Sequence, residues 1–255
     1  MSAVILSLVL LSSLGAKRKR PAGFAWRRES NQAFQVGETI TYGVRYGVVP
    51  SGTATLRVDG IQPVGRRKAY FLVSEAKSSK SVDVFHKIRE RQESWMDTES
   101  LSALKFHDAS QEGRYRRDST TTFDVPRRSV RHVYKTSKSE GETGTSTPPY
   151  AQDTISVIYY LRTRDLKPGT KYEIPINTGG ENFMVTVLVK GIEKIKTPAG
   201  KFDCFHVQPV AAGKSDVKGQ LEVWLTTDER RVPVLLRTHF SLGAFDARMT
   251  AYQPS

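Results

Sequence analysis

From Glu38 the chain alternates, with Ile40, Tyr42, Val44 and Tyr46 on one side and Thr39, Thr41, Gly43 and Arg45 on the other. A period of two over eight residues predicts a strand with one buried face. Pro50-Ser51-Gly52 turns the chain into a second extended run at 53–58, and Gly65-Arg66-Arg67 turns it into a third at 69–76. Extended runs joined by short turns predict an antiparallel meander. Val82, Val84, His86 and Ile88 carry the alternation on, and the charged run 87–93 reads as an edge or a strand with one wet face. Shorter strands are expected at 94–97, 103–106, 120–125 and 129–134.

Residues 137–150 break this pattern, being rich in Ser, Thr, Gly and Glu and ending in Thr147-Pro148-Pro149, and they read as a mobile loop. The period then changes. Asp153 offers a helix N-cap ahead of Ile155, Ile158, Tyr159 and Arg162, with Val157 and Leu161 widening the apolar face. A turn at Pro168-Gly169 ends this short helix, whose expected work is to cover one side of a sheet. Six cleaner strand patterns follow, at 171–177, 182–190, 201–210, 220–226, 232–240 and 245–252. The expected fold is all-β: an antiparallel β-barrel or half-barrel of roughly a dozen strands, with one covering helix at about 153–162. Strand counts alone do not separate a closed barrel from a half-barrel or a sandwich.

Residues 4–14 form an almost unbroken apolar run followed by Lys17-Arg18-Lys19-Arg20. The run is short for a bilayer span and suits the core of a secretory signal, although basic residues follow it instead of preceding it. The expected organisation is a leader at 1–16, a basic disordered segment at 17–34, and a single β domain at 35–255. The expected location is the periplasm or the periphery of the outer membrane.

The net charge of +13 gathers partly in that segment and partly in Arg66-Arg67-Lys68, Arg114, Arg116-Arg117 and Arg127-Arg128. Such a surface attracts phosphate groups or is simply a solvated face. No recognition helix, zinc spacing or aromatic-basic motif accompanies it, which argues against nucleic acid.

Candidate chemistry is sparse. His86, His107, His132, His206 and His239 include no pair at metal-ligand spacing, and His86 with Glu90 is the one local nitrogen–oxygen pair. Gly-x-Ser-x-Gly is absent, and the carboxylate pairs Glu90/Glu93 and Asp228/Glu229 read as salt-bridging groups. Cys204 lies between Phe202 and Phe205 and reads as structural, while Gly179-Gly180 reads as a hairpin turn. No catalytic, metal or cofactor residue is assigned.

Gln152-Asp153-Thr154-Ile155-Ser156, Tyr160-Leu161-Arg162, Val189-Lys190-Gly191-Ile192-Glu193 and Thr197-Pro198-Ala199-Gly200-Lys201-Phe202 resemble the bacterial family catalogued as domain of unknown function 3108. Glu222-Val223-Trp224-Leu225-Thr226, Arg231 to Leu236, and Gly37-Glu38 with Tyr42 extend the likeness over about residues 35–252. The resemblance implies export and a β fold and transfers no catalytic residue.

The leading expectation is a non-enzymatic envelope protein whose curved sheet binds an apolar or amphiphilic ligand, such as a lipid. Tyr42, Tyr46, Phe71, Trp95, Phe183 and Trp224 are the candidate cavity wall. The alternatives are an interaction module for an envelope protein, anionic lipid or polysaccharide, and a metal-dependent hydrolase with ligands drawn from separate strands.

Overall fold

The computed structural model describes residues 24–211, 220–240 and 243–255. The expected leader at 1–16 and the basic cluster at 17–20 lie outside these residues. The chain meanders up and down as β1 (Thr39–Tyr46), β2 (Val49–Val64), β3 (Arg67–Ser78), α1 (Lys80–Asp83), β4 (Ile88–Asp97), β5 (Ala103–Glu112), β6 (Tyr115–Asp124), β7 (Ser129–Thr136) and β8 (Glu140–Ser146). After α2 (Ser156–Arg162) come β9 (Lys171–Thr178), β10 (Glu181–Thr197), β11 (Gly200–Ala211), β12 (Gln220–Thr226), β13 (Pro233–Phe240) and β14 (Gly243–Gln253).

All fourteen strands form one antiparallel sheet, with β14 returning to pair with β1 and with β8 and β9 as the two edges. The protein is all-β and barrel-like, open as a ladder between β8 and β9. Side chains and one connecting segment close that seam. Asn182 Nδ2 donates to the Ser146 carbonyl at 2.6 Å, and its Oδ1 accepts from Thr147 Oγ1 at 2.8 Å and Asn177 Nδ2 at 2.9 Å. Gln152 makes a single parallel bridge to Ile176, its amide bonding Pro175 O and its carbonyl taking the Asn177 amide, both at 2.8 Å. The β9–β10 turn is Gly179-Gly180, both at positive φ, as a two-residue hairpin needs.

The helix plugs one end of the barrel. At seven residues it is too short to persist alone, so tertiary contacts hold it. Asp153 Oδ1 accepts the Ile155 and Ser156 amides at 2.8 and 2.7 Å while Ser156 Oγ accepts the Asp153 amide at 2.8 Å, a reciprocal cap. Ile155 and Tyr159 then pack with Val58, Leu72, Met96, Phe106, Phe123 and Val130 in one core cluster. Leu161 packs on the other wall with Ile174, Val187, Val207 and Leu225, and Tyr160 touches both clusters.

Arg162 ends the helix inside the protein. Its guanidinium makes a bidentate pair with Glu38 at 2.6 and 2.7 Å, both side chains at most 2% exposed, and donates to the Arg230 and Ala33 carbonyls. Tyr252 Oη donates to the same carboxylate at 3.1 Å. Plug, first strand and last strand are thereby tied at one point.

Three local expectations differ from the structure. The alternation at 82–88 is not a strand, because the chain forms the single turn α1 and leaves Val84 and Phe85 exposed at its tip. The stretch expected as a mobile loop contains β8, which pairs with β7 from Lys135↔Glu140 to Ser129↔Ser146. An edge ladder needs only backbone groups, so a strand polar on both faces shows no hydrophobic period. Residues 24–34, expected to be disordered, follow the sheet: Phe24 and Trp26 pack near Trp95, and Ala33 and Phe34 enter the core below Tyr159.

Candidate functional site

The face that meets α2 is the inside of the barrel, and strand register extends that face away from the plug. Ser94 marks it on β4, because its hydroxyl donates to buried Asp153 Oδ2 at 2.6 Å. Gln92 and Glu90 follow on the same side. Ser74 and Ala76 stand opposite them on β3, and Asp108 and Ser110 on β5. Ser119 and Arg117 continue the row on β6, with Tyr134 opposite Ser119 and His132 opposite Thr121 on β7. Above the first apolar layer, this wall is polar and charged.

The facing wall has the opposite character. Ile174 and Ile176 on β9 stand opposite Val185 and Phe183 on β10, and Val189 opposite Val207 on β11. Val223 on β12 lies between Val207 and Leu236. Ile176, Phe183, Leu221 and Leu236 are only partly buried, so the apolar character reaches beyond the sealed floor. The inner face of the sheet is therefore two-sided, polar on β3–β7 and apolar on β9–β13.

The charged groups of the polar wall interact. Asp108 forms an ion pair with Arg117, and burial pushes its carboxyl above the usual range against the pull of that guanidinium. Asp108 Oδ1 is buried without a hydrogen-bond partner among the described residues. Glu90, although exposed at its surface, is also raised, by desolvation and then by the neighbouring Asp108 charge. His132 is lowered by burial and by Arg117, and its Nδ1 lies 2.8 Å from Thr121 Oγ1. One guanidinium, two carboxyls and several hydroxyls can donate and accept hydrogen bonds to a polar group.

The six aromatic residues singled out in the sequence are dispersed. Phe183 belongs to the apolar lumen wall. Tyr42 is buried among the strands near the plug, its hydroxyl donating to the Pro233 carbonyl at 2.8 Å. Tyr46 packs on Phe245 at the far rim, with ring centroids 4.9 Å apart. Phe71 and Trp95 pack on each other at 5.0 Å in the cluster that Phe24 and Trp26 join. Trp224 stacks on His206 at 4.5 Å and donates to Glu193 at 3.0 Å.

The remaining candidates fall elsewhere. His86 faces Glu112 at 3.3 Å, not Glu90. Glu93 pairs with Arg91, and Asp228 with Arg230. Cys204 is buried and its thiol is pushed up to about 12 by desolvation, which suits a structural residue and not a nucleophile. Among the described residues, no group of three or more His, Cys, Asp or Glu side chains is placed to hold a metal ion. Asp108 gave no sequence signal, and Arg117 and His132 stood out only as part of a basic cluster and as a lone histidine, because alternation reveals two faces without saying which is concave.

The family described as protein of unknown function (DUF3108) matches residues 41–250. The chain belongs to this family. No curated protein matches this chain. A solved β-barrel-like protein of domain of unknown function DUF1849 from Brucella abortus superposes with a TM-score of 0.56 at 8% identity, over 87% of this chain and 99% of that one. At that identity the likeness shows a shared fold. A "putative exported protein" with a YmcC-like fold from Bacteroides fragilis aligns over 90% of this chain and 100% of its own, with a TM-score of 0.30 at 10% identity. A "putative lipoprotein" from Parabacteroides distasonis aligns over 86% and 96%, with a TM-score of 0.31 at 8% identity. The last two superpose too loosely to bear on architecture or function.

Proposed function

We propose that this DUF3108 protein is an exported, non-enzymatic envelope protein that takes an amphiphile into its barrel. The carrying observation is the two-sided lumen: an apolar wall on β9–β13 faces a polar wall bearing Asp108, Arg117 and Glu90. A ligand with one apolar and one polar side satisfies both walls at once, whereas a purely apolar ligand would leave the Asp108–Arg117 pair desolvated without compensation. The apolar run at 4–14 supports export.

Native mass spectrometry of protein purified from its own envelope tests the reading, with denaturing extraction of what accompanies it. A stoichiometric amphiphile is expected, and it should be depleted by Leu236→Gln on the apolar wall and by Arg117→Ala on the polar wall. A clean unliganded mass for the wild type would remove the proposal.

A further inference from the structure

The end of the barrel opposite α2 carries an exposed apolar patch of a particular kind. Phe85 is 89% exposed, Val48 82%, Val84 77% and Val49 55%. These side chains occupy two neighbouring turns, β1–β2 and β3–β4, joined where the Ser79 amide donates to the Ser51 carbonyl at 2.8 Å. The β5–β6 turn follows directly, its Gly113 amide bonding Lys87 O at 2.7 Å, and it presents Tyr115 between Arg114 and Arg116. Backbone bonds thus knit three tips into one rim.

The charge on that rim is predominantly positive. Arg45, Lys77, Lys80, Lys87, Arg114 and Arg116 are exposed. Among the described residues none of these six is in an ion pair, while the acidic neighbours Asp83, Glu75 and Glu112 face Arg89, Arg57 and Arg91, and His86. Apolar side chains at the extreme tip with uncompensated cations set just behind them match the layering of a bilayer surface, where acyl chains lie beneath phosphates. A protein partner would need a facing groove lined with acid. A bilayer supplies both layers without any specific fit.

We infer that this rim, centred on Phe85, Val84 and Val48, docks the protein onto an anionic phospholipid surface by inserting those three side chains below the headgroups. The inference is independent of what the lumen holds. Its substitutions fall on exposed tips that carry no packing, so folding is not at stake.

The test is co-sedimentation of the full chain, as purified from its envelope, with phosphatidylcholine vesicles and with phosphatidylcholine–phosphatidylglycerol vesicles. Binding to the mixed vesicles alone is expected, and it should weaken as salt is raised. Val84→Ser/Phe85→Ser should reduce affinity at least about tenfold, and Lys80→Glu/Lys87→Glu by a similar factor. Phe85→Trp should bind as the wild type does, and the emission of its added indole should shift to the blue and be quenched by brominated lipid. Binding that ignores the Ser substitutions, equal binding to neutral vesicles, no binding, or an unshifted emission from the Phe85→Trp variant would each overturn the inference, the last by showing that the tip does not enter the bilayer.

Discussion

Two buried carboxyls illustrate how one residue type takes opposite electrostatic roles. Burial would raise Asp97, but hydrogen bonds from Arg67, at 2.6 Å to each oxygen, and from Ser100 overcome it and hold the carboxyl below its usual value. Asp153 is fully enclosed, and there burial outweighs the bonds from Ser94, Ser156 and Ile155, so its carboxyl is raised. Linkage then gives the signs. The stability Asp97 contributes is complete above the unfolded value of 3.8 and is lost as pH falls through its lower folded value. That of Asp153 is complete below 3.8 and is lost as pH rises through its raised folded value. Asp97→Asn should therefore cost about 2–3 kcal/mol at neutral pH and progressively less in acid. Asp153→Asn should cost most in acid and least at neutral pH. Urea titrations of both variants from acid to neutral pH check this, and parallel profiles would refute the assignment.

Among the elements, α2 has the least local support and the most non-local support. Its seven residues bury Ser156, Tyr159, Leu161 and Arg162, and the Arg162–Glu38 pair fixes its last turn to the start of β1 across 124 residues of sequence. Removing one partner of such a pair leaves the other charge buried. Arg162→Met should cost about 3–5 kcal/mol, and adding Glu38→Gln should restore part of it. Equilibrium unfolding of the two single variants and the double gives the coupling directly, and simple additivity would mean that the pair is not what seats the helix. The helix was legible from the three- and four-residue spacing of Ile155, Ile158, Tyr159 and Arg162, and its cap from Asp153. That Arg162 points inward was not legible, because a basic residue at a helix C-terminus is ordinarily solvated. The strand β8 was hidden for a related reason: Glu140 to Ser146 bury little, and only pairing with β7 makes them a strand.

For the whole molecule, the seam between β8 and β9 decides whether the sheet behaves as a barrel. Gly180 sits in it at a φ of +81°, and an added Cβ there would lie 2.7 Å from Thr143 Oγ1 and 3.1 Å from the His132 Cβ. Gly180→Ala should cost about 1–3 kcal/mol. It should also open the seam locally, so that hydrogen exchange quickens in β8 while the β1–β14 pairing is unchanged. Uniform exchange would show that the two edges are not coupled. The seam also bounds the proposed ligand site, since His132 lies on the polar lumen wall directly beneath the β9–β10 turn.

The linear chain determined what depends on neighbours a few residues apart: the alternation of Ile40, Tyr42 and Val44, the glycine turn at 179–180, the capped amphipathic run behind Asp153, and hence an antiparallel β fold with one helix. The tertiary structure alone decided which face of each strand is concave, that β14 closes on β1, and that Asp108 and Arg117 share the inner face of the sheet with Ile176 and Leu236. A period of two is the same whichever face turns inward. The inward face is selected only when the curl of fourteen strands, the plug and its buried ion pair are assembled together.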